Sequence, residues 1–239
     1  MTNKKLNNTA FLGISYETVK LFGMRTPDSI RWQGEVYRWF LPTVVHYGIS
    51  HLFINLLIQM VVGFMLESQM KWLRMAIFYF TVLITAEVFG SLCTPNKYAS
   101  GADPIIFGLF GGMLGMVIIY WKRLGAGDNF CQRICFIFMI VVLMVIYAFL
   151  MYTISQSYAN YVAYTKITFP DIFGCVGAFI VGLPAALFFL PPGDPRVNGY
   201  RATRYEQILA WIGLVVVIVE FILFVVLFFT VAKVDLPSV

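Results

Sequence analysis

The chain has 239 residues, 60% of them hydrophobic and only 12% charged, with a mean hydropathy of +0.80. Soluble domains carry about 25% charged residues, so this composition excludes a water-soluble globule and requires lipid as the solvent. The excess of 17 Lys and Arg over 12 Asp and Glu gives +5, but it forms no basic stripe. That sets nucleic acid aside and leaves the excess as a topology signal.

Residues 1–20, MTNKKLNNTAFLGISYETVK, have neither the continuous apolar core of a signal peptide nor the arginines of a mitochondrial presequence. Up to residue 40 the chain reads as an interfacial segment, because Trp32, Tyr37, Trp39 and Phe40 interleave with Arg31 and Arg38. A spanning helix needs about 20 mostly apolar residues. The stretches 41–66, 73–93, 104–121, 134–154, 169–190 and 207–232 meet that requirement. The loops TPNKYASGADP, KRLGAGDNFCQR and PPGDPRVNGYR carry turn chemistry between them. The expected organisation is an interfacial segment and first loop over 1–40, a membrane core over 41–190, and a linker with one more span over 191–239.

Lys71, Arg74, Lys122, Arg123, Arg133, Arg196, Arg201 and Arg204 fall in loops on one side of this array, against Lys97, Lys166 and Lys233 on the other. The positive-inside rule puts the first group in the cytosol or matrix. The six basic residues before the first span oppose that orientation unless their segment lies flat on the membrane.

Cys131 and Cys135 lie four apart with no histidine nearby, and Cys93 and Cys175 stand alone, so neither a metal site nor any other cofactor is expected. Gly108 and Gly112, Gly111 and Gly115, and Ala178 and Gly182 are small-xxx-small pairs of the kind that let membrane helices approach closely. Glu220 stands inside the last apolar stretch, in VVVIVEFILFVV. A carboxyl at that depth pairs within its own bundle or contacts a partner subunit.

The only two histidines are His46 and His51, in GEVYRWFLPTVVHYGISHLFINLL. His51 and Asn55 are four apart and share one helical face. Taken alone, they read as a hydrogen-bond network between helices.

The same stretch resembles the first loop and second helix of rhomboid intramembrane proteases. Tyr37-Arg38 stands for their Trp-Arg loop motif, and His46, His51 and Asn55 for their H-x4-H-x3-N signature. GADPIIFGLFGG resembles the Gly-x-Ser-Gly start of the family's fourth helix, and FPDIFGCVGAFIVG the sixth, with its D-x-x-x-H-x-G-G-x-x-x-G pattern. The resemblance covers about residues 20–190 in the family's order. It implies an all-α, rhomboid-like bundle of about six transmembrane helices. The first core helix has no counterpart in the short, polar start of the chain, and 207–232 adds one at the end.

The departures bear on function. The family's catalytic histidine falls on Cys175, with Asp171, Gly177, Ala178 and Gly182 in register around it. Its serine falls on Asp103 if IFGL sets the register, or on Ser100 if ASGA does. Asp103 as cap and Pro104 in the first turn favour Asp103. In either register the serine-type reaction lacks its base, while the oxyanion-side residues His46, His51 and Asn55 persist. The resemblance then implies a pseudoprotease with no catalytic residues. It would act as a structural subunit of a hetero-oligomeric membrane complex or bind transmembrane clients, in the mitochondrial inner membrane or the endoplasmic reticulum. Its partners would be other integral membrane proteins and the bilayer, with Glu220 as a contact. His51 and Asn55 are then expected to face the helices carrying Gly108 and Cys175. The alternative is an active intramembrane protease using Ser100, or Cys175 with His51 as its base.

Overall fold

The computed structural model describes residues 16–121, 130–157, 166–190 and 203–236. Two short helices, α1 (Tyr16–Leu21) and α2 (Pro27–Gln33), and two 3-10 turns, Val36–Trp39 and Leu41–Val44, precede the long helices. These are α3 (Ile49–Met70), α4 (Trp72–Cys93), α5 (Asp103–Ile119), α6 (Phe130–Ser157), α7 (Ile172–Phe189) and α8 (Arg204–Thr230). Among them α3, α4, α6, α7 and α8 are the 5 helices long and apolar enough to cross a membrane. The protein is an all-α, multi-pass membrane bundle. No sheet forms among the described residues, only isolated bridges joining Arg25 to Ala99 and Tyr98 to Ile167.

The first span begins at Ile49 rather than residue 41. Pro42 sits in a 3-10 turn, and Gly48 is fully extended at φ −177°, so the helix starts only after both. It runs on to Met70 and turns into α4 through the single residue Lys71, whose φ of 64° lies in the left-handed region. The described chain begins in the six-residue α1, and the expectation that no span precedes it falls on residues 1–15, outside those described.

α5 occupies the middle of the bundle. Its 17 residues rise about 26 Å, less than the roughly 30 Å of bilayer hydrocarbon, and none of them is exposed. It packs most closely on α7. A methyl group built on Gly111 would strike the Phe179 carbonyl oxygen, one on Gly182 the Gly108 carbonyl oxygen, and one on Gly115 would lie 2.6 Å from the Leu183 carbonyl oxygen. The small-residue pairs therefore let two backbones approach to a distance that no larger side chain permits.

α8 packs along α4 and α7, with Gly213 against Pro184 and Phe224 against Phe89. It starts in a capping box, in which the Thr203 hydroxyl accepts from the Glu206 N–H at 3.3 Å and the Glu206 carboxylate accepts from the Thr203 N–H at 3.0 Å. Its far end meets the N-terminal segment. Arg31 Nη1 donates to the Phe228 and Ala232 carbonyls at 2.7 and 2.8 Å, Trp32 Nε1 to the Asp235 carbonyl at 3.1 Å, and Trp39 stands edge-on to Phe228.

Three arginines that opposed the topology reading have internal work. Arg25 is completely buried, Arg31 satisfies the end of α8, and Arg38 binds Glu35 at 2.5 Å and the Lys20 and Met24 carbonyls. Burial works against charge on Glu35, but Arg38 outweighs it and holds that carboxyl below its ordinary range.

Candidate functional site

Packing of the long helices brings the starts of α3, α5 and α7 and the C-terminal half of α6 together on one side of the bundle, where several of the residues singled out by sequence meet. Asp103, the first residue of α5, is 1% exposed and is the hub. Its Oδ1 accepts from His51 Nε2 at 2.8 Å, Asn55 Nδ2 at 2.9 Å and the Tyr147 hydroxyl at 3.2 Å. The single Tyr147 hydroxyl proton is shared between this oxygen and Asn55 Oδ1, the nearer acceptor at 2.8 Å. One carboxylate oxygen is thus held by donors from α3 and α6. Of the two helices that His51 and Asn55 were expected to face, the one carrying Gly108 supplies Asp103, while the second polar partner comes from α6 and not from the helix of Cys175. Their partners are α5 and α6, because the spacing of four puts both on the α3 face that meets Asp103.

His51 is fully buried, stacked on Tyr47 with ring centroids 5.9 Å apart and tilted on Phe169 at 4.6 Å. Gly101 makes room for it. At φ 125° that residue has a backbone suited to glycine, and a Cβ there would stand 2.5 Å from His51 Cε1. His46 lies edge-on to His51 at 4.9 Å, and its Nε2 accepts from the Ala102 N–H at 3.4 Å. That contact requires an unprotonated Nε2. Burial, and after it the neighbouring His51, pushes the His46 imidazole down to about 4.

Ser100 is elsewhere in the same loop. Its hydroxyl donates to the Val45 carbonyl at 2.6 Å and so braces the segment before α3. Asp103, not Ser100, is brought to His51 and Asn55. Cys175 is buried on α7 and lines an apolar cavity of about 370 Å³ with Asp103, Phe107, Met144, Met151 and Phe179. No hydrogen bond joins its Sγ to His51 among the described residues; Asp103 takes His51 Nε2, and His51 Nδ1 has no partner there. Cys131 and Cys135 are exposed at the start of α6, and Glu220 is half-buried on α8, both away from this network.

A second polar cluster braces the first. Arg25 Nη1 donates to Asp171 Oδ2 at 2.6 Å and Glu87 Oε2 at 2.9 Å, and Nη2 reaches Thr94 Oγ1 at 3.5 Å. Its guanidinium fills the space over Gly90, where a Cβ would collide with Nη1. Burial opposes its charge, but Asp171 and then Glu87 outweigh it and hold Arg25 firmly charged. Sequence reasoning passed over this group. Glu87 in the apolar run TAEVFGS was a readable signal, since a carboxylate inside a span demands a cation or donor. Tyr147, one of 13 tyrosines, offered none.

This order of elements, with the H-x4-H-x3-N residues of α3 against the start of α5 and a small-residue α5–α7 seam, coincides with a family match. The rhomboid domain model covers residues 33–192. The chain belongs to the rhomboid family. Rhomboid-like protease 2 of Toxoplasma gondii is 22% identical to it over 191 residues, 79% of this chain and 59% of that protein. Inactive RHOMBOID-like protein 8 of Arabidopsis thaliana is 30% identical over 119 residues, 50% of this chain and 34% of its own length. RHOMBOID-like protein 6, mitochondrial, of the same plant is 25% identical over 137 residues, 57% of this chain and 44% of its own. The chain therefore spans from about a third to three fifths of these rhomboid relatives. The match over residues 33–192 takes in His46, His51, Asn55, Ser100, Asp103 and Cys175.

Proposed function

We propose that this rhomboid-family protein is a pseudoprotease that works by holding other membrane proteins, as a subunit of a hetero-oligomeric complex or a binder of transmembrane clients. The observation that carries this reading is the Asp103 carboxylate, which takes His51 and Asn55 as donors. Oxyanion stabilisation needs donors aimed at the place where negative charge develops on a substrate carbonyl. Here a permanent carboxylate holds them, and its charge repels an incoming oxyanion.

The remaining groups point the same way. A serine nucleophile needs a base within hydrogen-bond reach, and Ser100 donates instead to a backbone carbonyl. Both histidines of the chain, His46 and His51, stand on the oxyanion side, and α7 contributes a buried thiol. We place the protein in an internal membrane, the mitochondrial inner membrane or the endoplasmic reticulum, with its partners among other integral membrane proteins.

The test is reconstitution with transmembrane substrates, with fluorophosphonate and thiol-directed probes in parallel. No cleavage and no labelling of Ser100 or Cys175 is expected. Cleavage by the unaltered protein that disappears in Ser100→Ala or Cys175→Ser overturns the reading. For the assembly itself, native gels of gently solubilised membranes are expected to show the protein far above its 27.2 kDa, and a monodisperse monomer refutes it.

A further inference from the structure

We infer that the face of α8 around Glu220 docks a transmembrane helix of a different protein that carries a lysine or arginine near mid-bilayer. This deepens the assembly reading above and rests on it.

Glu220 stands 16 residues after Arg204 and 10 before Thr230 in α8. At 1.5 Å per residue that is about 24 Å from one end and 15 Å from the other, well inside the hydrocarbon. Its Oε2 is shielded and has no hydrogen-bond partner among the described residues. The buried carboxylates each keep at least one partnered oxygen: Glu87 and Asp171 share Arg25, Asp103 accepts from His51 and Asn55, Asp28 accepts from Tyr98, and Glu206 completes a capping box. Hydrocarbon offers no donor to an acceptor oxygen, so a carboxyl left to lipid at this depth is costly. An incoming cation can satisfy it.

The surface beside Glu220 suits a helix. Glu220 stands at the border of the packed stripe: Gly213 and Phe224, at i−7 and i+4, are committed to α7 and α4 on one side of it, and Leu223, Val219 and Val226 are exposed on the other. The occupant is not a second copy of this chain. Within the described spans, Lys and Arg occur only near helix starts, as Arg74 in α4, Arg133 in α6 and Arg204 in α8. Two copies laid face to face would offer Glu220 no cation at mid-depth. Charge complementarity therefore calls for a heterologous helix.

The test uses the full chain in its native membranes, with a benzophenone amino acid at position 219 or 223 and a control at position 149 on the exposed face of α6. The expected result is one heterologous membrane protein captured from both α8 positions and not from 149, with a Lys or Arg in the middle of a span. Glu220→Leu is expected to lower adduct yield about tenfold, the order of a polar contact between membrane helices. Glu220→Lys is expected to abolish it, and changing the partner's cation to glutamate to restore it. Adducts with lipid only, with a second copy or with a helix lacking a central cation overturn the inference, as does an unchanged yield in Glu220→Leu. A monomer on native gels removes the assembly reading as well. A large native mass with lipid-only adducts on α8 removes this inference alone.

Discussion

Asp103 shows how one side chain organises a buried polar site. A serine there would present a single hydroxyl, whereas the carboxylate accepts from His51 and Asn55 at once and shares the Tyr147 proton with Asn55. In Asp103→Leu, His51 Nε2 and Asn55 Nδ2 lose their acceptor, at about 1–3 kcal/mol for each buried polar group left unpaired. Thermal unfolding in detergent is expected to fall clearly for Asp103→Leu and much less for Asp103→Asn, which keeps an acceptor oxygen. Equal losses for the two would mean that the hydrogen bonds contribute little. His46 gives the network a pH dependence with a definite sign. Its imidazole is pushed from an ordinary 6.5 to about 4, so the unfolded chain binds this proton more tightly than the folded one. The contribution is fully present above pH 6.5 and is lost as pH falls toward 4. Stability should decline through that window, and His46→Gln should flatten that part of the profile. An unaltered profile in the variant would show that other groups carry it.

At the scale of elements, the seam between α5 and α7 positions both Asp103 and Cys175. Backbone contact along Gly108, Gly111, Gly115 and Gly182 leaves no volume for a Cβ. Gly111→Ala, whose new methyl group would meet the Phe179 carbonyl, should cost about 1–3 kcal/mol by overpacking. Gly63 on α3 is the control. Its nearest neighbours to a built Cβ are 3.9 Å away, on Leu109 and Met75, so Gly63→Ala should match or slightly exceed the parent, since alanine favours helix. Unfolding temperatures of the pair decide the point, and a Gly111→Ala variant as stable as Gly63→Ala would refute the overpacking. These pairs were legible as small-xxx-small spacing. Their assignment to an α5–α7 seam was not, because spacing marks a face without saying which helix it meets.

For the whole molecule, Arg25 links three distant parts of the chain. It ties the N-terminal segment to α4 through Glu87 and to the start of α7 through Asp171, and these three charges are all but removed from solvent. Removing one member of such a group strands the others, at about 3–5 kcal/mol. Arg25→Met should therefore lower the unfolding temperature by more than Arg38→Met, whose partner Glu35 is partly exposed. It should also expose the N-terminal segment to protease. A segment that stays protected would show that the contacts of α2 with the end of α8, through Arg31 and Trp32, suffice.

The sequence by itself determined the solvent, the helical class, six apolar stretches close to the observed helices, the common face of His51 and Asn55, and the small residues of the tightest seam. All of these are local properties, set by composition or by a periodicity of a few residues. Only the tertiary structure decided that Asp103 meets His51 across 52 residues, that Tyr147 joins from 92 residues beyond Asn55, and that Arg25 reaches Asp171 across 146. IFGL and ASGA each fit a local pattern, and only the packed helices bring the Asp103 carboxylate, and not the Ser100 hydroxyl, within 3 Å of two buried donors. Sequence periodicity says which face of a helix is special, but only the packing of one helix on another says what that face touches.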